Sequence, residues 1–199
     1  MSDKLRVGLI GYGFASKTFH APLIAGTPDV ELAAISSSDE GKVHADWPQV
    51  KVVADPQALL EDPSLQLIVI PTPNDTHFPL AKAALNAGKH VVVDKPFTVT
   101  LSQARELEAL AKAKGLLLSV FHNRRWDSDF LTLKQLLKEG TLGEVRYFES
   151  HFDRFRPEVR QRWREMKGAG SGIWYDLGPH LLDQALQLFG APVAINVDM

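Results

Sequence analysis

Leu5-Arg6-Val7-Gly8-Leu9-Ile10-Gly11-Tyr12-Gly13-Phe14-Ala15-Ser16 is the stretch whose reading decides the fold. An apolar run with β-branched residues stops at Ile10, and glycines follow at alternate positions. Buried strand, tight turn and helix start in immediate succession form the layout that holds a dinucleotide pyrophosphate. Gly11 allows a sharp turn, and Gly13, lacking a Cβ, lets the backbone approach phosphates closely. A helix starting near Phe14 and Ala15 would aim free N–H groups and the positive end of its dipole at the anion. Ser16 stands where the pattern has its third glycine. Taken alone, Gly-X-Gly after a strand is also an ordinary tight turn, so the rest of the chain has to decide.

Working outward, Val30–Ile35, Val50–Val53, Leu67–Ile70, His90–Val93 and Leu116–Val120 read as five further strands. Helical spacing is expected around Gly41–Asp46, over Thr76–Ala87 and over Thr100–Lys114, where Leu101, Ala104, Leu107, Leu110 and Ala111 make an apolar stripe. Continuously apolar strands alternating with helices predict an α/β fold with a doubly wound parallel sheet covered on both faces, over residues 1–122. Ligands in such a fold sit outside the carboxyl ends of the strands, so polar residues that follow strands matter most.

Beyond His122 the rhythm changes. A helix is expected over Asp127–Glu139, a strand over Val145–Phe152, a basic stretch from Arg154 to Lys167, an apolar helix over Ile173–Phe189 and a strand over Val193–Val197. Residues 123–199 therefore read as the start of an α+β domain with a mostly antiparallel open sheet, unfinished at Met199. One or two strands do not bury a sheet face by themselves.

Composition narrows the classes. The 199 residues suit one full domain and part of another. With 22 basic and 24 acidic side chains the net charge is −2, which points away from nucleic acid and charged membrane surfaces. The absence of cysteine excludes disulfides, thiolate metal sites and cysteine nucleophiles. No metal site is indicated. No apolar run approaches the ~20 residues of a membrane span, so a cytoplasmic protein is the default.

Four groups carry candidate chemistry. Lys95 follows a strand between Asp94 and Pro96, and Pro96 biases it towards an extended conformation. An ammonium held there could polarise a substrate oxygen or shuttle a proton, although a solvated loop lysine reads the same way. Asp176 and His180 are four residues apart, which on a helix puts both on one face and lets the carboxylate set the imidazole tautomer. Gly178 and Pro179 leave the helix start open, and spacing alone favours an N-cap aspartate beside an unrelated histidine. Thr72, Pro73, Asn74 and His77 follow the fourth strand and are candidates for cofactor ribose or nicotinamide; Asn74 also suits a plain turn. His122, Asn123 and Arg124 offer donors for a polar substrate, or simply form a boundary loop. The arginines between Arg154 and Arg164 read as a solvated face, with a site for an anionic substrate as the lesser alternative.

The cofactor reading turns on Ser36, Ser37 and Ser38. An NAD site normally places an acidic residue about 20 residues past the glycines to bind the ribose 2′-OH. Serines stand here, with Asp39 slightly late and Lys42 near, which favours NADP over NAD.

Gly11-Tyr12-Gly13-Phe14-Ala15, Pro73-Asn74 with His77, Asp94-Lys95-Pro96 and Asp176-Leu177-Gly178-Pro179-His180 together resemble the Gfo/Idh/MocA family of oxidoreductases, the glucose–fructose oxidoreductase and inositol dehydrogenase type. The resemblance spans the chain; the family's usual Glu-Lys-Pro appears as Asp-Lys-Pro. It implies a Rossmann domain followed by an α/β domain with a large open sheet often used for oligomerisation. It also implies hydride transfer between nicotinamide and a small polyol, sugar or related compound, with Lys95 and His180 as the acid/base pair and Asp176 orienting them. The alternatives are a non-catalytic dinucleotide-binding module or inactive fragment and, with less behind it, a Rossmann-type methyltransferase.

Overall fold

The computed structural model describes residues 4–153, 155–158 and 165–198. The chain forms two compact units, residues 1–121 and 122–199.

The first unit is built on six strands: β1 (Leu5–Ile10), β2 (Val30–Ser36), β3 (Lys51–Val53), β4 (Leu67–Ile70), β5 (His90–Asp94) and β6 (Leu118–Phe121). They pair in parallel in the order β3-β2-β1-β4-β5-β6. The chain winds outward from β1 to β3, then returns to the other side of β1 and winds outward again. The winding reverses between β1 and β4, which is where a doubly wound sheet opens a crevice at its carboxyl edge.

Alternation along the strands sorts two cores. Ile10, Ile68, Ile70, Val91 and Val93 face one side, under Leu59 and Leu60 of α3 (Gln57–Glu61), Ala81, Ala84 and Leu85 of α4 (Asn74–Asn86) and Leu107 and Ala111 of α5 (Leu101–Lys114). Val7, Leu9, Leu32, Ile35 and Val69 face the other, under Ala21 of α1 (Ala21–Gly26) and Val43 of α2 (Glu40–His44). Burying each large aliphatic side chain contributes roughly 1.5–3 kcal/mol. Gly8 makes the first core possible: a Cβ there would lie 2.9 Å from both Ile68 Cδ1 and Leu65 Cδ1. The helix α5 starts as its sequence asks, with Thr100 and Gln103 closing a capping box, and ends on Gly115 at φ 64°. The short helix α3 was not expected; Asp55 starts it by accepting the Gln57 N–H at 2.9 Å.

The second unit contains a 3-10 turn (Asn123–Trp126), α6 (Ser128–Lys138) and α7 (Ile173–Phe189). The two helices lie where helical spacing placed them. The two strands do not: Val145–Phe152 and Val193–Val197 are irregular. A strand exists only through hydrogen bonds to a neighbour, and neither run has a paired neighbour among the described residues. Tyr147, Val193 and Ile195 are exposed accordingly. Of the basic stretch, Arg154, Arg160, Arg162 and Arg164 lie outside the described residues.

Candidate functional site

The glycine turn sits at the reversal point, at the carboxyl end of β1. Gly11 adopts φ +82°, a conformation costly for any residue with a Cβ. Its N–H donates to the Ser36 carbonyl at 2.9 Å and approaches the Ser36 hydroxyl at 3.3 Å, tying the turn to the end of β2. Ser16, in place of a third glycine, donates its hydroxyl to the Gly11 carbonyl at 2.8 Å and is buried. Helical bonding begins where Lys17 N–H reaches the Gly13 carbonyl at 3.0 Å. A Cβ built on Gly13 meets no protein atom within 4 Å, so the space above this backbone is open. Open space over a helix N-terminus, bordered by exposed Gly13 and Phe14, fits a bound pyrophosphate.

The expected cofactor residues divide into a rim and a buried brace. Gly13, Phe14, Ser38 and Pro73 are exposed; Gly11, Ala15, Ser37, Thr72, Asp94 and Lys95 are half-buried. Ser36, Asn74 and His77 are the buried members of the set. Ser36 is buried, with its hydroxyl turned to the Gly11 N–H. Asn74 opens α4 and is also buried. His77 has no exposed surface: Nδ1 lies 2.8 Å from the Pro96 carbonyl and Nε2 lies 2.8 Å from the Thr72 carbonyl. His77 thereby joins the loop after β4 to the loop after β5. The Thr72 hydroxyl meets that of Thr76 at 2.6 Å.

After β2, the Ser37 hydroxyl is occupied by the Asp39 backbone at 3.1 Å, and the Asp39 carboxylate caps α2 by accepting the Lys42 N–H at 2.9 Å. One oxygen of the Asp39 carboxylate is therefore engaged within the protein. Tyr12, which sequence reasoning passed over, is buried and donates to Asp46 at 2.9 Å. Burial and the Asp46 charge push its phenol up to about 12, so it stays a neutral donor. Lys17 in turn holds the Asp46 carboxyl below its usual range, together with the Tyr12 hydroxyl.

At the end of β5, one Asp94 oxygen accepts the Lys95 N–H at 2.7 Å and the other faces His20 Nε2 at 3.4 Å. Burial alone would raise the Asp94 carboxyl, but the His20 hydrogen bond and charge, the Lys95 N–H and the Lys95 ammonium outweigh it and hold it low. The Lys95–Pro96 peptide is cis. His20 had no sequence signal, because its partner is 74 residues away. Lys89 is a second such case: it is buried and gives its ammonium to the carbonyls of Asp62 and Leu65 at 2.7 and 2.8 Å.

In the second unit α7 runs unbroken through Gly178 and Pro179, so Asp176 and His180 are one turn apart on one helix. Gly178 leaves room for the Trp174 ring, which a Cβ there would meet at 2.8 Å. His180 is buried, with the Phe152 ring edge-on at 6.2 Å. The Phe152 ring also carries the Arg124 guanidinium at 4.9 Å, and Arg124 pairs with Asp127 at 2.8 Å. Arg125, next in the run His122–Trp126 that offers donors for a polar substrate, makes a two-pronged bond to Asp183 on α7 at 2.7 and 2.6 Å, and that hydrogen bonding, with the Asp183 charge, raises its pKa. His122 Nδ1 lies 3.9 Å from the same carboxylate, and Asn123 opens the 3-10 turn. Among the described residues no group of three or more histidine and carboxylate side chains is placed to hold a metal ion, and no helix is long and apolar enough to cross a membrane.

Comparison with known proteins adds sequence breadth to this geometry. Residues 5–122 match the family model described as "Oxidoreductase family, NAD-binding Rossmann fold", and residues 130–199 match the "GFO/IDH/MocA C-terminal domain". The chain is 79% identical over its whole length to the uncharacterized oxidoreductase YdgJ of Escherichia coli (strain K12), covering 58% of that protein. It is 41% identical over 99% of its length to the scyllo-inositol 2-dehydrogenase (NADP(+)) IolW of Bacillus subtilis (strain 168), covering 55% of it. The solved structure of YPO2259 from Yersinia pestis superposes with a TM-score of 0.91 at 76% identity, over 96% of this chain and 54% of that one. The chain thus spans a little over half the length of these relatives. Its glycine turn, six-stranded parallel sheet and two matched family models show that it belongs to the GFO/IDH/MocA oxidoreductase family.

Proposed function

We propose that the protein is an NAD(P)-dependent oxidoreductase acting on the CH–OH carbon, or corresponding carbonyl, of a small polyol, sugar or related compound. The observation that carries the reading is the juxtaposition at one sheet edge: the open glycine turn after β1 and the Asp94–Lys95 pair after β5. Bound nicotinamide would supply the hydride acceptor or donor. The backbone of Gly11–Ala15 would hold the pyrophosphate, with Thr72, Pro73 and Ser37–Ser38 on the rim. Lys95 would hold a proton against the substrate oxygen and stabilise alkoxide character as it develops. His180 would take the hydroxyl proton in the oxidation direction, with Asp176, one turn earlier, setting its orientation. His122, Asn123 and Arg124 are the proposed substrate contacts.

NADP is the favoured cofactor for two reasons. Ser36, Ser37 and Ser38 stand at the end of β2 where an NAD site would offer an acidic residue to the 2′-OH, and IolW, at 41% identity, carries NADP(+) in its name. The name of that relative also supports an inositol-like polyol as the first substrate to try. Homo-oligomerisation of a full-length form and a cytoplasmic location belong to the same proposal.

Fluorescence titration of this chain with NADPH and NADH tests binding and cofactor choice. Turnover of a full-length form with NADP+ and a polyol and sugar panel that includes scyllo-inositol tests chemistry. Lys95→Ala is expected to cut turnover by about 100-fold or more and leave NADPH affinity nearly unchanged. Saturable binding with no turnover on any substrate would favour the non-catalytic module, and unchanged turnover in Lys95→Ala would remove the lysine from the mechanism.

A further inference from the structure

Ser16–His20 form a π-helical turn, closed by the Ala21 N–H on the Ser16 carbonyl, between the glycine turn and α1. π-turns inside helices occur frequently at functional sites. It turns two polar side chains inward, Ser16 at its start and His20 at its end, while Lys17 and Phe19 between them are exposed. The His20 ring lies against Phe121, the last residue of β6, with centroids 4.3 Å apart and planes at 46°. Its Nε2 faces the Asp94 carboxylate, which accepts and cannot donate, so Nε2 carries the hydrogen. The same carboxylate binds the Lys95 N–H with its other oxygen. One carboxylate thus bridges the helix that follows the phosphate turn and the backbone of the lysine at the sheet edge.

We propose that His20 is a positioning residue for Lys95: it anchors the outer oxygen of Asp94, so that the carboxylate stays on the Lys95 backbone instead of turning to the Lys95 ammonium. The proposal deepens the functional reading above and rests on it for its consequence, since a held Lys95 matters for turnover only if Lys95 acts. Its geometric content is independent of that reading. Without the His20 donor, Asp94 is a half-buried carboxylate one residue from a cation. An opposite charge brought closer favours the charged form of the lysine and lowers the fraction present as free amine.

Three substitutions separate a donor from a packing role. His20→Phe keeps a ring against Phe121 and removes the donor. His20→Gln keeps an N–H donor and removes the ring. Asp94→Asn removes the charge. The measurement is the rate of reductive methylation of Lys95 with formaldehyde and cyanoborohydride, followed by peptide mass spectrometry, with exposed Lys42 as the internal standard. His20→Phe is expected to slow Lys95 about threefold and His20→Gln to stay near the parent rate. Asp94→Asn is expected to speed it. Where a full-length form turns over, His20→Phe should lower kcat and leave NADPH affinity within about twofold, since the phosphate turn is untouched.

A folded His20→Phe with the parent labelling rate overturns the proposal, and so does a His20→Gln that slows Lys95 as much, because that marks the ring as the working part. If His20→Phe does not fold, the remaining pair decides: parent-like His20→Gln with faster Asp94→Asn supports the link, and any other result overturns it. Full turnover in Lys95→Ala would instead defeat the catalytic reading and leave the labelling result standing.

Discussion

Residues 4–121 and residues 122–198 solve the same packing problem with different means. In the first region every crossover lays a helix on the sheet, so both faces close and the core residues Leu9, Ile35, Ile68 and Leu107 lose all exposure. Its buried polar side chains Ser16, Ser36, His77 and Lys89 all find hydrogen-bond partners. In the second region α6 and α7 have no sheet to lie on among the described residues, and Ile173, Trp174, Leu182 and Leu186 on α7 stay exposed. What ties its 3-10 turn to α7 is polar: the Arg125–Asp183 pair and the Gln184 bond to the Arg124 carbonyl. A parallel βαβ array closes its own core, whereas the described ties between the 3-10 turn and α7 are specific side-chain bonds.

If that contrast is right, the largest loss follows from removing a buried brace of the first region. His77→Leu removes the imidazole that lies between the Pro96 and Thr72 carbonyls and should cost about 2–3 kcal/mol in urea unfolding followed by circular dichroism, with NADPH binding lost in parallel. A cost near zero would remove His77 as a brace. Gly11→Ala comes next, because φ +82° strains any Cβ-bearing residue; we expect about 1–2 kcal/mol and weaker NADPH binding in fluorescence titration. Arg125→Ala should cost about 1.5 kcal/mol, since Asp183 is mostly buried while the arginine is 40% exposed. Amide exchange should rise in residues 122–189 only; equal acceleration in β1 or β4 would break the contrast between the regions.

The smallest effect is a pH response. The Ser64 hydroxyl and N–H, with Lys51, hold Asp62 down from the ordinary 3.8 to about 2. A carboxylate depressed in the folded state adds stability above its unfolded pKa, and that contribution is lost as pH falls from about 4 to about 2. Asp62 is solvent-accessible, so the contribution should be no more than about 1 kcal/mol, and Asp62→Asn should flatten the stability curve over that window. A curve unchanged by the substitution would show that the Ser64 contacts persist in the unfolded chain.

The six strands and the long helices were legible because each is a local pattern: Leu67–Ile70 is a continuous apolar run, and Leu101–Ala111 repeats at helical spacing. The runs Val145–Phe152 and Val193–Val197 carry strand-like composition and still form no strand, because composition proposes a strand and only a partner makes one. The site was legible in part. Gly11, Gly13 and the Asp176–His180 spacing are short-range features, and the helical spacing came out as one turn of α7. Ser36, Asn74 and His77 were legible as important residues but not as buried ones, the partners of Tyr12 and Arg125 were not legible, and His20 gave no signal.

The sequence by itself determined the alternation of buried strand and helix, the need for glycine at the turn, and therefore the sheet and the edge at which its polar residues gather. Those follow from local sterics and from the periodicity of apolar residues. Tertiary structure decided which polar side chains form the rim and which brace it from below. Gly11 meets Ser36 across 25 residues, and His20 meets Asp94 across 74. Burial and charge pairing depend on what remote segments bring to a point in space, and that is settled only when the parallel strands are ranked side by side.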